Sequence, residues 1–173
     1  MSQAPLEYLS ELVGTQAKGE VAVQSVIAKN MEQSGCEVEF YDYFPNQVPV
    51  KGEFSISQAE NGQNRRVLIA TAKGDPNLPS LLIFAHPDCE PLRDLEKWKT
   101  DPFVAFSNNG KLFGWGVADD LAGCACAVAA IKVTLERKSS SLGDIIFAST
   151  PSKSYARGVA SILHRGLTAD ASL

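Results

Sequence analysis

Apolar residues at helical spacing open the chain: Leu6, Leu9 and Leu12-Val13 within residues 5–16, then Val23, Val26-Ile27 and Met31 within 19–34, before Gly35. A period near 3.6 gathers each set on one stripe, so both stretches predict amphipathic helices. From Cys36 to Tyr43 the pattern alternates and carries aromatics, which predicts a strand broken by Pro45 to Pro49. Residues 52–59 and 66–72 flank Asn61-Gly62 and predict two antiparallel strands. Leu81 to Ala85 is a continuous apolar run, expected as a buried central strand, and a second hairpin is expected around Asn109-Gly110. Asp120 to Arg137, rich in Ala with Val128, Ile131 and Leu135 recurring, predicts a buried helix. Asp144 to Ser149 predicts another strand, and 155–165 another helix that Gly166 ends. Buried strands alternating with helices indicate a three-layer α/β domain, its sheet mixed, mainly parallel and antiparallel at one side.

With 173 residues and 45% hydrophobic content the chain has the size and composition of one domain with a real core. A net charge of −4 without a basic stripe argues against nucleic acid or an anionic membrane as partner. No apolar run reaches the length of a membrane span, the N-terminal residues lack a signal-peptide pattern, and the expected location is the cytoplasm. Cys36, Cys89, Cys124 and Cys126 are scattered, forming neither a zinc motif nor a disulfide framework. Cys89 alone lies beside candidate chemistry.

That chemistry begins with His86-Pro87-Asp88, directly after the apolar run. A strand that delivers an imidazole and a carboxylate two residues apart presents both on one face at its exit, an arrangement that suits a metal. A histidine hydrogen-bonded in a core and an aspartate capping a turn would read the same in sequence. Asp119-Asp120, following Gly114-Trp115-Gly116, is a second acidic cluster. It too has a bland reading, as the cap of the following helix.

The stretch His86-Pro87-Asp88-Cys89-Glu90-Pro91, then Trp98, Asp101-Pro102-Phe103 and Asn109 through Gly123, resembles the M20 family of metallopeptidases in order and spacing. That family includes acetylornithine deacetylases, succinyl-diaminopimelate desuccinylases and carboxypeptidases. The resemblance implies a zinc-exopeptidase-like fold, of which residues 1–173 would be the N-terminal part of the catalytic domain. A lid or dimerisation domain and the other catalytic half would lie outside this chain. It further implies a hydrolase of an amide or related C–N bond in a small carboxylate-bearing substrate, using one or two divalent ions, zinc before cobalt or manganese. His86 would be a metal ligand, Asp119 a carboxylate bridging two metals, Asp88 the group orienting the His86 ring, and Asp120 the neighbour of Asp119 across a cis peptide. A homo-oligomer, or association with the remainder of the enzyme, is expected.

Two departures stand against the family pattern. Trp115 replaces an arginine common between the two glycines. More consequentially, Ser152 and Lys153 occupy the places of two consecutive glutamates, one a general base and one a ligand. A serine hydroxyl is a poor base at neutral pH, and an ammonium is repelled by a metal ion. Three repairs are open: Lys153 is neutral and acts as base or ligand; Glu90 provides the carboxylate; or Ser152, Lys153 and Arg157 bind an anionic group of the substrate. Plain capping of a helix start is the bland alternative for this segment. A catalytically silent relative that binds or regulates, or a piece completed by a partner chain, is the alternative function. His164 reads as structural, and Asp170 as a weak ligand candidate.

Overall fold

The computed structural model describes residues 5–49, 63–137 and 141–173. In chain order these form α1 (Pro5–Gln16), α2 (Glu20–Gln33), β1 (Glu37–Tyr43), β2 (Arg65–Ala72), β3 (Leu81–Ala85), β4 (Phe106–Asn108), β5 (Lys111–Phe113), α3 (Ala122–Glu136), β6 (Ile145–Ser149), α4 (Arg157–His164) and β7 (Ala171–Ser172). Five strands make one sheet in the order β1-β2-β6-β3-β7. β2 is antiparallel to β1 and β6, whereas β3 is parallel to both β6 and β7, so β2 alone runs against the other four.

Alternation along the strands divides the core in two. Leu68, Ala70, Ala72, Ala85 and Phe147 face one side, where α1, α2 and α3 cover them with Leu12, Val23, Ile27, Met31, Cys124, Val128 and Ile131. Val67, Ile69, Leu82, Ile146 and Ala148 face the other, covered by Ile162 of α4. Both faces of β2, β3 and β6 are therefore apolar, and a strand buried on both sides shows a run of hydrophobics rather than alternation. That is the three-layer α/β arrangement the pattern predicts.

Three local expectations shift. The strand over 66–72 exists, but its neighbours are β1 and β6; residues 52–59 lie outside the described residues. The long helix starts at Ala122 rather than Asp120, because Val117–Leu121 forms a π-type turn in which Asp119 (φ −151°, ψ 86°) and Asp120 (φ −137°, ψ 31°) leave helical geometry. The last helix starts at Arg157, after a 3-10 turn over Lys153–Tyr155. The second hairpin is β4–β5, turning at Asn109 (φ 50°) and Gly110 (φ 72°), two left-handed residues of the kind a tight hairpin with right-twisted strands requires.

Because β3 and β6 are parallel, their carboxyl ends lie on one edge of the sheet, where α/β folds place their ligands. His86 leaves β3 there, and Thr150 to Lys153 leave β6. Asp170 sits at the opposite edge, its Oδ2 accepting from the main-chain N–H (2.8 Å) and hydroxyl (2.7 Å) of Ser80, where it docks β7 onto β3. It is a structural carboxylate, far from His86. No helix among the described residues is long and apolar enough to cross a membrane.

Two tests address the fold. Phe147, fully buried in the central strand β6, is expected to cost about 3–5 kcal/mol on truncation to Ala, read as a lower urea midpoint at unchanged slope. The hydrogen bonds from Ser80, main chain before side chain, hold the Asp170 carboxyl below its ordinary pKa. Its contribution is thus present above the unfolded value of about 4 and lost as pH falls through the depressed folded value. The stability gap between wild type and Asp170→Asn should accordingly be open at pH 7 and narrow at pH 3.

Candidate functional site

The imidazole of His86 is fixed on both sides. Nδ1 lies 3.0 Å from the main-chain carbonyl of Asp88, and Nε2 lies 3.1 Å from Oδ1 of Asp119. Both neighbours are acceptors. A neutral imidazole has one hydrogen to give, so a proton or a cation is needed between the second nitrogen and its oxygen. In the tautomer that gives Nδ1–H to the carbonyl, Nε2 presents a lone pair beside Asp119; in the protonated ring it donates to that carboxylate.

Asp119 and Asp120 are joined by a cis peptide and their carboxylates diverge. Asp120 turns inward: Oδ2 accepts from the main-chain N–H of His86 (3.3 Å) and Oδ1 from that of Gly123 (3.2 Å) in the first turn of α3. The capping alternative therefore describes Asp120, whereas Asp119 faces the imidazole. Gly123 is required for this approach, since a Cβ there would lie 2.1 Å from Asp120 Oδ1. Gly116 (φ 77°) turns the chain into the loop, and a Cβ on it would meet Cys89 Sγ.

Asp88 works differently from the expectation. Its carbonyl orients His86, but its carboxylate lies 3.7 Å from the ring, too far for a hydrogen bond. Instead Oδ2 accepts from the main-chain N–H groups of Ser152 (3.1 Å) and Lys153 (3.2 Å), with a guanidinium nitrogen of Arg65 at 3.4 Å. Arg65 also pairs with Glu20 at 2.6 Å. Asp88 thus joins the exit of β3 to the exit of β6. Ser152 stands in left-handed backbone (φ 71°) with its hydroxyl fully buried, and Arg157 is buried in the first turn of α4. Neither lines the cavity bordered by Asp88, Glu90 and Trp115.

Lys153 does line it. Its ammonium pairs with Oδ2 of Asp119 and lies 3.4 Å from Oε1 of Glu90. Burial works against that charge, yet the pairs with Asp119 and then Glu90 outweigh it and hold Lys153 above the ordinary lysine pKa. A neutral Lys153 acting as base or ligand is therefore corrected to a charged one. Reciprocally, the hydrogen bond from Lys153, aided by His86, draws the Asp119 carboxyl below its usual range.

The cavity has a volume of about 490 Å³ and is lined by Gln16, Glu20, Arg65, Asp88, Cys89, Glu90, Trp115, Lys153 and Tyr155, among others. Cys89 is pushed up to about 11, by burial first and then by Asp88, which leaves an inert thiol that contacts Gln16 Nε2 at 3.1 Å. Trp115 packs edge-on against Phe103 and donates from Nε1 to the carbonyl of Glu90 (2.9 Å), fixing that residue at the rim. Gln16, Glu20 and Arg65 carry no signal in the sequence. Arg65 reaches the site because β2 runs antiparallel to β6, so its first residue lies at the edge where β6 ends.

A catalytic zinc ordinarily takes three protein ligands and keeps a position for water. Among the described residues no three His, Cys, Asp or Glu side chains converge as a metal site. Two do: the free lone pair of His86 and Oδ1 of Asp119 fit part of the coordination of one divalent ion. The ammonium on Oδ2 does not fit a second. Since Asp120 holds two main-chain N–H groups and Asp119 none, Asp120→Ala is expected to cost about 1–3 kcal/mol in a denaturant titration. Asp119→Ala, an exposed carboxylate paired through side chains, is expected to cost less than about 1 kcal/mol.

Residues 82–171 match the model of peptidase family M20/M25/M40. An N-formyl-4-amino-5-aminomethyl-2-methylpyrimidine deformylase of Halalkalibacterium halodurans is 31% identical over 157 residues, covering 89% of this chain and 33% of the deformylase. A succinyl-diaminopimelate desuccinylase of Legionella pneumophila is 35% identical over 96 residues, 55% of this chain and 23% of the relative. Among solved structures, an M20 family metallo-carboxypeptidase from Sulfolobus solfataricus superposes with TM-score 0.71 at 18% identity, over 99% of this chain and 37% of that one. Human carnosine dipeptidase 1 gives 0.66 at 20% identity, over 84% and 31%. The chain spans a third or less of the two relatives' length, and the match covers the strands, the His86 exit and the Asp119 loop together. It belongs to peptidase family M20/M25/M40.

Proposed function

We propose that this protein hydrolyses an amide or related C–N bond in a small carboxylate-bearing substrate, with one divalent ion, zinc before cobalt or manganese, held in part by His86 and Asp119. The observation that carries the reading is the Nε2 to Oδ1 distance of 3.1 Å, with Lys153 joining Asp119 to a cavity that Asp88 and Glu90 also line. Support comes from relatives named as a deformylase and a desuccinylase. A bound divalent ion would supply Lewis acidity, polarising a carbonyl and acidifying water.

The chain's own residues divide the remaining work. Lys153 is charged and cannot accept a proton. Asp88 is committed to two main-chain N–H groups and to Arg65, which makes it a positioning residue. Glu90 is the cavity carboxylate left for general-base work, exposed at the rim, with its backbone anchored by Trp115. The cationic groups Lys153 and Arg65 flank the place where a substrate carboxylate would enter, while Ser152 and Arg157 are buried and do not line it.

A second reading, a silent binding or regulatory relative, is favoured by one observation: the ammonium of Lys153 lies on Asp119 where the family pattern has glutamates. Association with further polypeptide, as a second copy or the rest of a longer chain, is proposed at the outer edge of β7, which among the described residues pairs on one side only. The free cysteines support a reducing compartment, for which we propose the cytoplasm. The deciding assay offers N-formyl, N-acetyl and N-succinyl amino acids and dipeptides to the zinc-, cobalt- or manganese-loaded protein. Turnover is expected, abolished in His86→Ala and Asp119→Ala and lowered about 10²–10⁴-fold in Glu90→Gln. Turnover retained in both alanine variants would refute the site; saturable binding without turnover would establish the silent reading.

A further inference from the structure

We infer that a second cavity, formed between residues 93–100 and the outer face of the β4–β5 hairpin, binds a small aromatic anion, a flat ring that carries a carboxylate or a phosphate. None of its lining residues lines the cavity at Glu90 and Trp115, so the inference is independent of the proposed hydrolysis.

The hairpin turns apolar residues outward. A period of two puts Leu112 on the inner side, where it packs against the core, and Phe106 and Phe113 on the other. A ribbon with one covered face ordinarily carries polar residues on its solvated face. Here Phe106 and Phe113 are register partners with ring centroids 6.3 Å apart, and they are 43% and 46% exposed. Together with Trp98 they line a cavity of about 670 Å³. That volume falls within the range of small-molecule sites, roughly 300–1,000 Å³. Three aromatic side chains offer a planar ligand stacked or edge-on contacts that an aliphatic one does not make.

The charges at this cavity select an anion. Arg93, Lys97 and Lys99 line it against one carboxylate, Asp94, although the whole chain carries a net charge of −4. Asp94 is taken by Lys97 at 2.9 Å. Arg93 and Lys99 pair with no carboxylate among the described residues, and the Trp98 indole N–H donates to no acceptor among them. Guanidinium, ammonium and indole N–H groups are donors only. A ligand that satisfies them is rich in acceptors, and the fork of Arg93 suits the two oxygens of a carboxylate or phosphate. The ring then rests on the aromatic wall while its anionic group meets Arg93 and Lys99.

Isothermal titration on the intact chain tests this with AMP and indole-3-acetate as the two kinds of aromatic anion. Adenosine, indole and inorganic phosphate each supply one feature alone. Saturable binding of AMP, of indole-3-acetate or of both is expected at one per chain, and the anion that binds tells phosphate from carboxylate. The three controls are expected to bind about tenfold more weakly or not at all. Arg93→Glu and Lys99→Glu, at exposed positions, are each expected to weaken binding about tenfold or more, and Phe113→Ala about fivefold. Far-UV circular dichroism establishes folding; should a charge reversal not fold, Arg93→Gln or Lys99→Gln is read in its place. No saturable binding of either anion, equal binding of the neutral rings, or unchanged affinity in the folded Arg93 and Lys99 variants would each overturn the inference. Hydrolytic activity, present or absent, alters none of these readings.

Discussion

The carboxylate of Asp88 is the constraint on which the rest of this site depends. It follows β3, yet two of the hydrogen bonds it accepts come from the main chain that follows β6, and Arg65 at the start of β2 approaches from a third strand. Three strand ends are thereby registered within one carboxylate's reach. The parallel pairing of β3 with β6 makes that possible, by bringing Ala85 beside Ser149. Hydrogen bonds to an ionised acceptor are stronger than neutral ones, and here they run to main-chain groups that cannot rotate away. The position of Lys153 is thus a consequence of Asp88 as much as of its own ion pairs.

Much of the fold was legible because the sheet is covered on both faces. Continuous apolar runs such as Leu81–Ala85 and Ile145–Ser149 have no other stable placement in an α/β domain. Failures lie where local pattern met long-range pairing. The Asn61-Gly62 signal suggested a partner for 66–72 from nearby sequence, but β2 pairs with β1 on one side and with the distant β6 on the other. Periodicity likewise could not see that Asp119 and Asp120 stand outside the helix, since the residues of Val117–Leu121 fit a helical pattern until their dihedrals are known.

At the site, the residue types named side chains that the fold brings together, but not the contacts each one makes. His86, Asp88, Glu90, Asp119 and Lys153 do gather at one edge. The sequence could not tell that Asp88 acts on the ring through its carbonyl while its carboxylate serves the next strand, nor that Asp120 holds main chain while Asp119 is free to face the imidazole. Both distinctions follow from side-chain direction, which spacing alone leaves open. Arg65 and Gln16 were invisible for a different reason: they arrive from elements far away in the chain.

A lysine in place of a carboxylate changes more than the local charge. A site of acidic groups around an imidazole is stable only if something positive completes it, because neighbouring carboxylates repel each other and lose hydration together. Exchangeable ions do this when they are present and leave the repulsion behind when they are not. A covalently attached ammonium does it permanently. The carboxyl of Asp119 is held ionised by Lys153 before any ion arrives, so the apo site is already organised around a charge pair. The same fixity limits the site, since an ammonium offers hydrogen-bond donors and no lone pair for a metal or a water proton while it stays charged. Proton acceptance must then fall to a carboxylate not committed elsewhere. Asp88 Oδ2 and Asp120 are bound to main-chain N–H groups and Asp119 to His86 and Lys153, whereas Glu90 at the rim is held only by the longer 3.4 Å pair with Lys153.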